Sequence, residues 1–149
     1  MPGCRMRTAA GSVRCRWFAF FIALAGVDSA AAAARLAVCA EDSAPHSCPY
    51  IGGAGIQQAV DDAGPGDTIV VHAGIYAPGA PREVRYKKYR IPGAVVIVNK
   101  TVMIEGEEGT VLDGARGPAT SGIVVDGGHV NIHNLHLRGF RAASSTDDI

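Results

Sequence analysis

The sequence predicts an all-β fold, the first few coils of a right-handed parallel β-helix, preceded by one short helix. Three observations predict it. Short β-branched runs recur along the later part of the chain, separated by single Gly, Asn or Asp residues rather than by hairpin loops. One segment repeats at a spacing in the twenties, the period of a solenoid coil. Glycine is abundant at 19 residues while aromatics make up only 6%, which suits a narrow aliphatic interior better than a bundle packed on large rings.

The first element is a leader. Arg5, Arg7, Arg14 and Arg16 precede an uncharged apolar run from Trp17 to Val27, and the alanine-rich stretch Ser29 to Ala34 follows. Positive, apolar and small-residue regions in that order mark a secretory signal peptide over residues 1–34. The apolar run falls short of the roughly 20 residues that span a bilayer, so no membrane span is expected once the leader is removed. A secreted or periplasmic protein follows. A lipoprotein site at Leu36–Cys39 (LAVC) is disfavoured by the bulky Val38. A buried helix in a cytosolic protein would leave the arginines and alanines without a reason.

Of four cysteines, Cys4 and Cys15 would leave with the leader. Cys39 and Cys48 remain, and an even pair in an oxidising compartment reads as a disulfide. Closing so short a loop stabilises by about 2–3 kcal/mol on the chain-entropy model. It would pin a segment over residues 35–55 to the body, the helix and first coils occupying 56–149. Free thiols are the alternative.

Next, Ile56, Ala59, Val60 and Ala63 recur with one-faced helical spacing. Gly64-Pro65-Gly66 stops the helix. The glycine-rich lead-in Tyr50 to Gly55 lacks a phosphate-loop pattern. Strands are then expected at Thr68–Val71, Ala94–Val98, Thr101–Ile104, Thr110–Leu112, Ile123–Val125, Val130–Ile132 and Leu135–Leu137. Turns are expected at Ala73-Gly74, Asn99, Gly106, Gly109, Gly114, Asp126-Gly127-Gly128, Asn134 and Gly139. Val102 and Ile104 match Val130 and Ile132 at an offset of 28, and Thr110–Gly114 matches Leu135–Gly139 at an offset of 25. Val102, Ile104, Val130, Ile132, Leu135 and Leu137 would then stack in aliphatic ladders.

The runs IQQAVDDAGPGDTIVVHAGIY, VVIVNKTVMIEGEEGTVLDG and GIVVDGGHVNIHNLHLRGF together resemble the opening of pectin-lyase-like right-handed β-helix proteins. The resemblance implies that Ile56 to Ala63 caps the first coil, that polysaccharide binds along an outer face, and that the catalytic groups lie in further coils after Ile149; the chain is then either a truncated piece or ends in an open C-terminal edge. It alone implies Ca²⁺ as a cofactor; the residues themselves point to none. Whether the chain is an enzyme is left open, and the catalytic residues are unassigned.

Several groups are candidates for chemistry. The basic run Arg82 to Arg90 (REVRYKKYR) interleaves cations with tyrosines. Arg85, Tyr86, Lys87, Lys88, Tyr89 and Arg90 suit an acidic polysaccharide, because guanidinium groups pair with carboxylates and phenol rings stack on sugar faces. The same run also reads as an ordinary solvated loop or strand. Asp113, Asp126 and Arg138 are charged groups near turns, candidates for the acid–base and charge-neutralising work of polysaccharide cleavage, or simple turn caps. His133 and His136 flank Asn134 and could hold Zn or Cu, although histidines on strand surfaces are common. Fourteen basic and 14 acidic residues cancel, which argues against a nucleic-acid partner recruited by overall charge. The expected function is thus an extracytoplasmic protein binding or modifying an acidic polysaccharide. The alternative is a non-catalytic surface solenoid or a periplasmic metal-delivery scaffold; a pectinesterase-like enzyme would need paired aspartates in later coils.

Overall fold

The computed structural model describes residues 32–43, 48–119 and 121–141. The expected leader lies outside the described residues except for positions 32–34. Nine strands and one helix follow: β1 (Arg35–Cys39), β2 (Tyr50–Ile51), α1 (Gly52–Asp62), β3 (Thr68–Val71), β4 (Gly74–Tyr76), β5 (Arg82–Tyr86), β6 (Tyr89–Gly106), β7 (Thr110–Asp113), β8 (Ser121–His133) and β9 (His136–Arg138). The larger sheet runs β2-β1-β3-β6-β5, with β8 also paired to β6; the smaller is β4-β7-β9. Every pairing is parallel except the β5–β6 hairpin. No helix among the described residues is long and apolar enough to cross a membrane.

Alternation within the strands builds the core. In β3, Ile69 and Val71 point inward and are fully buried, whereas Thr68 and Val70 are half-buried. Register then aligns Leu36 with Ile69, Ile69 with Ile104, and Ile104 with Ile132, one aliphatic row across four strands. Val102 lies beside Val130 and Leu112 beside Leu137, at the two offsets visible in the sequence. Burial fades along each row: Ile69, Ile104 and Leu112 are fully buried, while Ile132 and Leu137 are exposed.

Helix α1 closes the opposite side, burying Ile56, Ala59 and Val60 against the sheet. It begins at Gly52, four residues before the expected start, so the glycines read as a lead-in are its first turn. Asp61 and Asp62 stand at the end where the helix dipole disfavours them, but each has a partner. Arg82 clasps Asp61, Tyr50 donates to Asp62, and Lys100 Nζ donates to the Asp61 and Ala63 carbonyls (2.7 and 2.9 Å). Lys100 therefore caps the helix from a neighbouring strand.

This architecture overturns the expected all-β solenoid. The described residues form a mixed α/β structure of two largely parallel sheets and one helix that contributes directly to the core, and no β-helix is formed. The expected alternation of short strand and sharp turn fails in two places. Strand β6 continues for 18 residues through Asn99, and β8 for 13 residues through Asp126-Gly127-Gly128. The physical reason is local. Asn99, Gly127 and Gly128 all adopt positive φ, and the ladder passes from Val98↔Asp126 to Lys100↔Gly128 without them breaking it. Left-handed residues here bend paired strands instead of ending them. Ala73-Gly74, expected as a turn, leads into β4, and the basic run forms an antiparallel hairpin.

Candidate functional site

The basic run forms an exposed hairpin from β5 into the start of β6. Alternation places Val84, Tyr86, Tyr89 and Ile91 on one face of the hairpin and Glu83, Arg85, Arg90 and Pro92 on the other. Tyr86 and Tyr89 are a cross-strand pair, as are Arg85 and Arg90. Tyr86 and Tyr89 are 60% and 58% exposed, so packing does not account for them. Lys87 Nζ lies 5.3 Å from the Tyr86 ring centroid and Lys88 Nζ 5.4 Å from that of Tyr89, within cation–π range. Lys87 holds φ 55° at the first position of the two-residue turn, a conformation that glycine or asparagine adopts more easily.

Five cations in this run face one carboxylate. Arg82 is committed to Asp61 and Arg90 reaches Glu83 at 3.3 Å. Arg85, Lys87 and Lys88 form no ion pair among the described residues. All six polysaccharide candidates are thus gathered on one finger, with Tyr86 and Tyr89 on one face, Arg85 and Arg90 on the other, and Lys87 and Lys88 at the turn beside the two rings.

The weaker charged candidates separate. Asp113 and Arg138 are ladder partners on β7 and β9, joined by two bonds at 2.9 and 3.1 Å. The guanidinium holds the Asp113 carboxyl below the usual range, helped by the Ala115 N–H. An aspartate clasped in this way is a poor proton acceptor. Asp126 is exposed on β8 opposite Val98, in a different sheet from Asp113. One open cavity of about 400 Å³ is lined by Gly114, Ala115, Gly117, Pro118, Ala119 and Arg141, and another of about 440 Å³ lies beside Thr110 and His136. Neither gathers the two carboxylates that glycoside hydrolysis uses. His133 and His136 are exposed on either side of Asn134, which has φ 54°. Among the described residues no third metal-binding side chain joins them.

A further cluster was invisible in the sequence. Cys39 and Cys48 form the expected disulfide, with Cα atoms 5.9 Å apart. The parallel register carries Val38, Val71 and Gly106 side by side. The next residue on each strand is Cys39, His72 and Glu107, three neighbours at the carboxyl ends of β1, β3 and β6. A ring nitrogen of His72 and the two sulfurs all lie within 4.8 Å of one another. His72 Nδ1 is 2.8 Å from Glu107 Oε1, and the Ala73 N–H donates to Oε2 at 3.1 Å. That backbone bond, followed by the His72 contact, holds the Glu107 carboxyl below its ordinary range. The His72 backbone is fixed as well: its N–H donates to the Val38 carbonyl, and its carbonyl accepts from Tyr76 and Thr110. Burial pushes the Tyr76 phenol up to about 12, so it remains a donor. The spacing in the chain signals nothing, because 33 and 35 residues separate His72 from Cys39 and Glu107.

Comparison with protein-family models, with curated proteins and with solved structures finds no match for this chain.

Proposed function

We propose that the protein acts outside the cytoplasm and binds an acidic polysaccharide through the hairpin from Arg82 to Arg90. The observation that carries this reading is the pairing of two exposed tyrosine rings beside Arg85, Lys87 and Lys88, cations without acidic partners among the described residues. A uronate polymer repeats a flat pyranose face and a carboxylate at every residue. Stacking and charge pairing by one small element answer both features. The reading is of binding rather than cleavage, since Asp113 is engaged by Arg138 and no pair of carboxylates converges in either cavity described above. The arginine-rich leader pattern supports export.

The test is a titration of the protein with polygalacturonate at low salt, with neutral dextran as control. Wild type should bind the uronate polymer and not the dextran. Replacing Arg85, Lys87, Lys88 and Arg90 together with Ser should weaken binding by about tenfold or more, since several exposed charge pairs are lost at once. Tyr86→Ala with Tyr89→Ala should weaken the part of the affinity that persists when salt is raised. Undiminished binding by the four-serine variant would remove the hairpin from the function.

A further inference from the structure

We infer that Cys39, Cys48 and His72 are the ligands of a second site, for a thiolate-seeking d¹⁰ cation, Zn(II) or Cu(I), that opens when the Cys39–Cys48 disulfide is reduced. This does not depend on the hairpin or on polysaccharide binding.

Three soft or borderline donor atoms already stand within 4.8 Å of one another. Two thiolates and an imidazole are the donor set that favours these ions over Ca²⁺ or Mg²⁺. The position of two ligands is set by the sheet. Cys39 ends β1 between β2 and β3, and His72 follows β3 with its backbone N–H and carbonyl both bonded. Cys48 arrives from outside that pair of strands and is the more exposed of the two cysteines.

Glu107 gives the cluster its direction. Its ionised carboxylate can only accept from Nδ1, so in the neutral His72 ring the proton sits on Nδ1 and the lone pair on Nε2. A carboxylate behind a histidine is the supporting arrangement found at metal-ligating imidazoles, where it fixes the ring and raises its basicity. Glu107 is itself anchored by the Ala73 N–H.

The chemistry balances with a dithiol as reductant. Its thiolate attacks the Cys48 sulfur, the Cys39 sulfur leaves, and the dithiol's second thiolate resolves the mixed disulfide. The dithiol departs oxidised, having supplied two electrons and two protons, and Cys39 and Cys48 become thiols. Binding of the cation then releases both thiol protons. Zn(II) would complete four-coordination with a water, and Cu(I) is satisfied by the three protein ligands. In the oxidised protein neither sulfur is a thiolate, so the disulfide is the closed state of the site.

The test uses the full chain carrying Cys4→Ser and Cys15→Ser, so that only Cys39 and Cys48 remain. Oxidised protein and dithiol-reduced, desalted protein are each titrated anaerobically with Zn(II) and, separately, with Cu(I), in competition with a chromophoric chelator. Reduced protein should take up one equivalent with ultraviolet thiolate-to-metal absorption, and oxidised protein should bind at least tenfold more weakly. The two titrations decide which cation is preferred. His72→Ala leaves the disulfide intact and should weaken binding by the reduced form at least tenfold, and Glu107→Gln should weaken it about tenfold. Equal binding by both redox forms, no loss with His72→Ala, or a reduced chain that loses its strand circular dichroism and takes up no metal would each overturn the inference.

Discussion

The side-chain amide of Gln57 holds both backbone groups of Val96. The Val96 N–H donates to Oε1 at 2.7 Å, and Nε2 donates to the Val96 carbonyl at 3.0 Å. Both residues are buried, Gln57 at 6% exposure and Val96 at 8%. One helix side chain thus occupies the position a neighbouring strand would hold, and closes the edge of β6 that α1 covers. Gln57→Leu should leave a donor and an acceptor buried without partners, at a cost of about 3 kcal/mol. Urea denaturation monitored by circular dichroism checks this. A loss below about 1 kcal/mol would mean that water or a shift of β6 replaces the amide.

Three carboxyls are held below their ordinary ranges by the fold. Asp67 accepts from the Ala34 and Gly64 N–H groups, Glu107 from Ala73 and His72, and Asp113 chiefly from Arg138. For each, the folded value lies below the unfolded one. Their stabilisation is therefore complete above the unfolded values, near pH 4 to 4.5, and is lost as pH falls through the lower folded values. The urea midpoint should stay level from pH 7 to about pH 5 and fall steeply below pH 4. Asp67→Asn should flatten that fall while lowering the midpoint at pH 7; an unchanged acid limb would show that Asp67 takes no part.

What the sequence made legible is what depends on neighbours along the chain. The short β-branched run TIVV placed β3 with its observed bounds, and the spacing of Ile56, Ala59, Val60 and Ala63 placed α1 apart from its first turn. The even cysteine pair foretold the disulfide. Two kinds of feature were hidden. Asn99 and Gly127-Gly128 carry ordinary turn chemistry, and only their pairing across β6 and β8 shows that they bend strands without ending them. That difference separates the observed α/β arrangement from the solenoid expected of short strands and sharp turns. Gln57, His72 and Glu107 act through partners 33 to 39 residues away, brought close by helix–sheet packing and parallel register. No local pattern marks such residues. The hairpin lay between these extremes: its basic and aromatic residues were visible as an exposed run, but its turn was not, because Lys-Lys is an unusual choice for a left-handed position.

Lys87 offers a direct trial of that choice. Its φ of 55° costs an L side chain roughly 1 kcal/mol that glycine does not incur. Lys87→Gly should therefore raise the thermal midpoint by a few degrees, since about 1 kcal/mol has that effect in a domain of this size. The same change removes a cation and its contact with Tyr86, so affinity for polygalacturonate should fall severalfold. Opposite movement of stability and binding in one variant would show that the turn residue serves the ligand surface. If binding is unchanged, Lys87 lies outside the contact.

Gly66 and Gly128 separate two effects that glycine usually confounds. Their φ values are nearly equal, 87° and 86°, in a region where an added methyl is strained at either position. Their surroundings differ. A Cβ at Gly66 would meet nothing within 4 Å, whereas at Gly128 it would stand 2.1 Å from the Lys100 carbonyl oxygen and 2.6 Å from its amide nitrogen. Gly66→Ala should cost only the strain, about 1 kcal/mol. Gly128→Ala must in addition drive β8 away from β6 at the point where both strands bend, and should cost about 3 kcal/mol or more. Denaturant midpoints of the two variants, measured side by side, check the difference. Equal losses would mean that the β6–β8 ladder yields at Lys100 without resistance, and that the close approach of the two backbones is not what holds β8 in register.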